Sequence, residues 1–296
     1  MTLTIKAVDP VSRPFFAGVV SGVDITRSLT AEAAGAIEKG MDDYGVLVFH
    51  DQKLTDETQM AFSRNFGELE LATNNLRTGN EQRLGAHIAD ISNLDNDNKV
   101  LGRENRRRLF SLGTRLWHSD SSFKVVPAKF SLLSARVIPD AGGNTEFADM
   151  RAGWDTLDPE TQAECLPLVC EHSQLYSRAQ IGFGDFTEEE RKAFAPVTQR
   201  LVRTHPSTGR QSLYLASHAG TIVDWPVPEA RAFLRDLIEH ATQRKFVYSH
   251  KWAVNDLVVW DNRATMHRSR PFDATQVRDM HRTTVAGQRS TMAEAA

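Results

Sequence analysis

From Phe130 onward the chain is a succession of short apolar segments closed by turns, and this pattern limits the available folds more than any other feature. Phe130 to Ile138, Leu201 to Thr204, Ser212 to Leu215, Phe246 to Trp252, Leu257 to Trp260 and Thr283 to Ala286 read as strands. Pro139-Asp140-Ala141-Gly142-Gly143 is a turn signal, and Pro206-Ser207-Thr208-Gly209 reads as a hairpin loop. Helical insertions interrupt the series at Pro159 to Leu166 and at Pro228 to Thr242, the latter with Phe233, Leu237 and Ile238 on its inner stripe. The expected class is therefore mainly β with helical insertions, arranged as a sandwich or jelly roll.

The first 70 residues are of a different kind. After Thr30, a plausible N-cap, Ala34, Ile37, Met41 and Tyr44 recur at helical spacing and Gly45 marks the stop. Val46 to Phe49 then reads as a short buried strand. Thr55 is placed to cap a second helix through Phe62 and Phe66, ending at Gly67. Residues 71–116 are rich in Asn, Gly, Asp and Arg, with weak apolar periodicity and strand character only at Ile88 to Ile91. A long irregular stretch in a compact chain is commonly functional, so it is expected to be a mobile lid. No repeat or linker breaks the chain, and residues 1–296 are expected to form a single domain.

Composition excludes several classes. A formal net charge of −3 with 25% charged residues gives no overall pull toward nucleic acid or an anionic membrane. The run Arg106-Arg107-Arg108 is a local exception that more often marks a solvated surface than a binding feature. No apolar run is long enough to span a bilayer, and no secretory signal is evident at the N-terminus. Two cysteines, Cys165 and Cys170, are too few for a disulfide framework. Five residues apart, they could share a helix. Reduced thiols in a cytoplasmic protein are the simpler expectation.

Chemistry enters at Trp117-His118-Ser119-Asp120. In an extended strand His118 and Asp120 would share a face and offer two ligands to one metal ion. Two His and one carboxylate form the facial triad of non-haem Fe(II) oxygenases. With ten His and 38 acidic residues, chance alone supplies roughly one such pair, so the case rests on its companions. Of the downstream histidines, His267 is the best third ligand: it follows the apolar strand Leu257 to Trp260 and the polar turn Asp261-Asn262-Arg263, at a strand end. Arginine is dense around it. Arg278 and Arg282, four residues apart, would share one face of the last strand. Two inward guanidinium groups demand anions, and arginine suits bidentate carboxylate recognition. A surface basic patch paired with Asp273 and Asp279 is the competing account.

In their order along the chain these segments resemble the taurine/2,4-D dioxygenase family of Fe(II)- and 2-oxoglutarate-dependent oxygenases. The matching stretches are Leu116-Trp117-His118-Ser119-Asp120-Ser121-Ser122-Phe123, Gly142 through Arg151, Leu201-Val202-Arg203-Thr204-His205-Pro206, Glu239 through Arg244, Trp260-Asp261-Asn262-Arg263 leading to His267, and Arg278 with Arg282. The resemblance implies a double-stranded β-helix (jelly roll). It implies Fe(II) held by His118, Asp120 and His267, and 2-oxoglutarate held by Thr145 and, at its distal carboxylate, by Arg278. Arg282 would meet the acid group of the substrate, and Phe123 would line its pocket. The implied reaction consumes O2 and 2-oxoglutarate and hydroxylates the carbon beside the ether oxygen of an aryloxyalkanoate. The resulting hemiacetal falls apart to a phenol and an oxoacid, with succinate and CO2. No protein nucleophile or general acid is needed, so no catalytic residue is expected beyond the metal centre. The partner is a small-molecule carboxylate, and a homo-oligomer is possible. Leu71 through Gly85 depart from the family pattern, which leaves substrate identity the loosest inference. A taurine or alkylsulfonate dioxygenase, a non-catalytic small-acid binding protein and a zinc hydrolase are the alternatives.

Overall fold

The computed structural model describes residues 2–72 and 83–294. The chain opens on an antiparallel hairpin, β1 (Thr4–Asp9) and β2 (Arg13–Ser21). Thr30 caps α1 (Ala31–Tyr44) through its hydroxyl, which accepts from the Ala33 N–H. Gly45 ends the helix at φ 68°, a left-handed conformation natural to glycine. β3 (Val46–Phe49) then runs parallel to β2. Thr55 and Thr58 form a reciprocal cap on α2 (Asp56–Ser63), and a 3-10 turn carries the chain to Gly67. β4 (Ala89–Asp90), α3 (Arg106–Ser111) and β5 (Ala128–Val137) follow.

The second half alternates short strands and helices. It contains β6 (Thr145–Asp149), α4 (Met150–Asp155), α5 (Pro159–Cys165), β7 (Val169–His172), α6 (Gln174–Ala179) and α7 (Glu188–Ala193). Next come β8 (Val197–Arg200), β9 (Val202–Thr204), β10 (Gln211–Leu213), β11 (Ala219–Ile222) and α8 (Val227–Ala241). The series closes with β12 (Val247–His250), β13 (Leu257–Asp261), β14 (Thr265–Ser269) and β15 (Asp279–Ala286).

The largest sheet runs β1-β2-β3-β13-β5-β15-β4 and packs against a three-stranded sheet, β12-β6-β14. Alternation along the central strands explains the packing. Val46 and Val48 of β3, Leu133 of β5 and Val258 and Trp260 of β13 meet Phe147 and Tyr248 of the small sheet. The alternate residues Leu47, Phe49, Leu132, Leu257 and Val259 pack on Ile37 and Met41 of α1 and Phe62 of α2. Both faces are dry, so the sequence of β13 is a continuous apolar run. Burying each such side chain contributes about 1.5–3 kcal/mol.

The chain thus combines sheets with helices, as expected, although neither sheet closes into a barrel among the described residues. Two local expectations are corrected. Cys165 ends α5 whereas Cys170 lies on β7, so they share no helix, and both are free and buried. His118 and Asp120 do not ride a strand. His118 makes one isolated bridge, and the chain turns at Asp120 into Ser121, whose φ is 55°.

The side of β15 that faces α2 carries a charge cluster joining it to α2, β4, Arg83 and Arg107. Arg83 bonds Asp90 at 2.8 Å and Asp279 at 2.5 Å, and Arg107 also reaches Asp90. His281 lies between Asp56 at 2.5 Å and Asp279 at 3.3 Å. Burial alone would lower the imidazole pKa, but the bonds to Asp279 and Asp56 outweigh it and raise the value. The stabilisation is therefore fully present below the unfolded value of about 6.5 and is lost as pH rises through the folded value. Calorimetric Tm should fall across that window, and His281→Gln should lose that component of the pH dependence. Superimposable pH profiles for the two proteins would refute this.

Candidate metal centre

The two sheets bring three distant residues to one point. β14 places His267 at its middle rather than at a strand end, opposite Phe147 of β6. On its free side β14 receives His118: the His118 N–H donates to the His267 carbonyl at 3.0 Å, and the His267 N–H donates back at 2.8 Å. Residues opposed in this way project from the same face, and the ring centroids lie 4.2 Å apart. The turn after His118 then delivers Asp120. One ligand atom from each of His118, Asp120 and His267 lies within 4.8 Å of the others, and all three residues are buried.

The surroundings suit a cation. His118 Nδ1–H donates to the Leu116 carbonyl at 2.8 Å, which fixes the tautomer and leaves the Nε2 lone pair facing Asp120 Oδ1 at 4.0 Å. His267 Nε2 stands 3.7 Å from Asp120 Oδ2. These separations are too long for hydrogen bonds, so the three groups converge without satisfying one another. Burial pushes both imidazoles toward the neutral form, His267 well below its ordinary value. Burial would raise the Asp120 pKa, but the Arg282 guanidinium, with the Ser131 hydrogen bond, holds it well below the usual carboxylate range. Two neutral imidazoles and a carboxylate are the donor set expected for a divalent transition metal.

Asp120 is held from three sides. Arg282 Nη1 donates to Oδ1 at 2.5 Å, the Ser131 hydroxyl donates to Oδ2 at 2.7 Å, and its own N–H donates to Asn262 Oδ1 at 3.0 Å. Asn262 in turn accepts from Trp260 Nε1–H and donates to Ser131. Outer contacts of this kind fix the orientation of a ligand and tune its basicity. His267 differs from the usual pattern: its Nδ1 is buried without a hydrogen-bond partner, and its ring is held by Trp260 at 4.6 Å and Phe147 at 6.2 Å.

A cavity of about 150 Å³ opens beside this cluster and is lined by His118, His267, Thr145, Trp260, Arg278 and Arg282, among others. Arg278 is 6% exposed and pairs with no carboxylate among the described residues. Its Nη1 donates to the Ile91 carbonyl, and its guanidinium lies 5.6 Å from the Phe272 ring. Burial alone pushes its pKa down to about 10. The surface-patch account fails for this residue. Thr145 opens β6 directly after the turn through Gly142 and Gly143, both at positive φ, and a Cβ on Gly142 would lie 2.5 Å from the Pro271 carbonyl oxygen. The Thr145 hydroxyl accepts from Trp252 Nε1–H at 3.0 Å.

Other expected residues fall nearby. Phe123 is half-buried, with its ring 5.0 Å from His218, whose ring is 6.1 Å from His118. Residues of the expected lid, Arg108, Ser111, Leu112, Thr114 and Arg115, line the cavity. Part of that segment, 73–82, lies outside the described residues. The basic run is divided in purpose: Arg106 pairs with Asp185 and Glu190, Arg107 bonds Asp90 and the Leu94 carbonyl, and Arg108 faces the cavity. Sequence reasoning assigned no role to Ser131, His218 and Arg178, nor to Asn262 within its matched stretch, because these residues act through contacts across the fold.

Comparison with known proteins supplies the relatives. The family described as "Taurine catabolism dioxygenase TauD, TfdA family" matches residues 7–284. The alpha-ketoglutarate-dependent 2,4-dichlorophenoxyacetate dioxygenase of Cupriavidus pinatubonensis is 44% identical over 271 residues, covering 92% of this chain and 94% of that protein. The (S)-phenoxypropionate/alpha-ketoglutarate-dioxygenase of Sphingobium herbicidovorans is 37% identical, with 92% of each chain covered. Among solved structures, AAD-2 in complex with Mn(II) and N-oxalylglycine superposes with a TM-score of 0.90 at 55% identity, over 98% of this chain and 99% of that one.

Proposed function

This chain belongs to the TauD/TfdA dioxygenase family, and from that premise we propose that it is an Fe(II)- and 2-oxoglutarate-dependent dioxygenase that hydroxylates the ether-linked carbon of an aryloxyalkanoate. One observation carries the reading: an open cavity joins the His118, Asp120 and His267 cluster to a buried guanidinium, Arg278, that lacks an anion. His118, Asp120 and His267 would hold the iron. Bound iron with 2-oxoglutarate and O2 supplies the oxidising power for hydroxylation, releasing succinate and CO2. A hydroxyl placed on the ether carbon makes a hemiacetal, whose collapse yields a phenol and an oxoacid.

The protein's own residues bind and position. Arg278 takes the distal carboxylate of 2-oxoglutarate, with Thr145 beside it. Arg282 keeps Nη1 on Asp120 and has its buried Nε free of any partner, so that edge is available to the acid group of the substrate. Phe123, packed on His218, forms an apolar wall for the aryl ring. Excluding water and holding the reacting carbon still are the remaining tasks. The packed large and small sheets support a double-stranded β-helix, with 71–116 as the lid of a single domain. Two buried free thiols, Cys165 and Cys170, suit the cytoplasm.

Succinate release from the Fe(II)-loaded protein should rise with 2,4-dichlorophenoxyacetate and be accompanied by a phenol. Stimulation by taurine or an alkylsulfonate instead would keep the enzyme class and overturn the substrate. Arg282→Ala should raise KM for the aryloxy acid, because a buried charge-assisted contact is worth about 2–5 kcal/mol. An equal loss of 2-oxoglutarate affinity would refute this division of labour between Arg278 and Arg282.

A further inference from the structure

A second buried guanidinium without a carboxylate partner among the described residues is linked to the metal cluster through Ser177 and His218. Arg178, on α6, is 6% exposed, and no carboxylate pairs with it among the described residues. Its Nη1 donates to the Ser177 hydroxyl at 3.0 Å, its Nε is buried without a partner, and its Cζ lies 4.2 Å from the centre of the Phe110 ring. Gly113 makes room for it: a Cβ there would sit 2.5 Å from the guanidinium carbon. Burial without compensation pushes its pKa down to about 10.

The surroundings of Arg178 connect it to the proposed substrate position. The Ser177 hydroxyl that accepts from Arg178 also lies 2.9 Å from His218 Nδ1. His218 stacks edge-on against Phe123 at 5.0 Å and against His118 at 6.1 Å. Two buried cations, Arg178 on Phe110 and Arg278 on Phe272, therefore neighbour one cluster, Arg178 by way of Ser177 and His218 and Arg278 across the cavity, each without a carboxylate partner among the described residues. Burying an unpaired charge costs several kcal/mol, and an arrangement that does so twice beside one site calls for two anions. Arg282 is already neutralised in part by Asp120.

We propose that Arg178 is a specificity-determining residue that shares the carboxylate of the aryloxy substrate with Arg282. The proposal rests on the aryloxyalkanoate reading, with 2-oxoglutarate assigned to Arg278.

The test is an anaerobic calorimetric titration of the Fe(II)- and 2-oxoglutarate-loaded protein with 2,4-dichlorophenoxyacetate and with its uncharged analogue 2-(2,4-dichlorophenoxy)ethanol. Arg178→Gln is expected to weaken the acid by about 30-fold or more, while the alcohol and, in a separate titration, 2-oxoglutarate stay within about threefold of the wild type. Acid affinity within that same range of the wild type would overturn the proposal. Equal weakening of all three ligands would do so as well, because it would mark Arg178 as a support of the fold. Failure of the wild type itself to bind the acid would overturn the aryloxyalkanoate reading and this inference together.

Discussion

Replacing His267 by alanine is expected to abolish turnover and to weaken metal binding by well over 100-fold. The reasoning starts from the backbone. His267 meets His118 through two main-chain hydrogen bonds at 3.0 and 2.8 Å, and neither involves a side chain. The substitution should therefore leave the bridge between β14 and the His118 segment in place while removing one of three ligands. Disturbing contacts to a ligand already costs about 10–100-fold in metal affinity, so loss of the ligand itself must cost more. The remaining pair, His118 and Asp120, cannot compensate. His218 is the nearest other imidazole named in the site, with its ring 6.1 Å from His118, but its Nδ1 is engaged with Ser177. Equilibrium dialysis with Mn(II) reports the affinity, and succinate release reports turnover. Wild-type Mn(II) affinity in His267→Ala would remove His267 from the metal set.

How much of this was legible in the sequence depends on whether a feature is local. The caps Thr30, Gly45 and Thr55 act within three or four residues, and each is where the pattern placed it. β13 was legible because both its faces are buried, giving an unbroken apolar run. By contrast β1 alternates exposed and half-buried positions and shows little apolar signal. β14 reads Thr-Met-His-Arg-Ser, too polar to announce a strand, which is why His267 was expected at a strand end. The convergence of His118, Asp120 and His267 was expected through motif order and family resemblance, not through periodicity. Ser131 and Asn262, which fix Asp120, stand 11 and 142 residues from it along the chain. Only the folded arrangement brings such partners together. Arg178 is the clearest case: nothing around it in sequence distinguishes it from a surface arginine, and its meaning comes from burial without an acid.

Removing the charge of Arg278 is the second large effect, and it should fall on 2-oxoglutarate alone. Among the described residues this guanidinium makes one side-chain hydrogen bond, Nη1 to the Ile91 carbonyl, while the main-chain N–H of Arg278 is held by Asn93 Oδ1 at 2.9 Å. Burial lowers its pKa only to about 10, so it stays charged throughout the physiological range. A dicarboxylate whose far end reaches Arg278 gains a charge-assisted bond in a dry site, worth about 2–5 kcal/mol, or roughly 30- to several-thousand-fold in affinity. Arg278→Gln keeps much of the side-chain volume against Phe272 and keeps a donor, yet cannot neutralise a carboxylate. KM for 2-oxoglutarate should therefore rise by at least tens of fold. Metal affinity measured without 2-oxoglutarate should be nearly unchanged, because Arg278 makes no contact with Asp120 whereas Arg282 does. The fold should not suffer, since replacing an uncompensated buried cation by a neutral amide lifts a desolvation cost, and Tm is expected to hold or rise. A fall in metal affinity equal to the fall in 2-oxoglutarate affinity would contradict the assignment, because it would show Arg278 acting through the ligand cluster instead of through the cosubstrate.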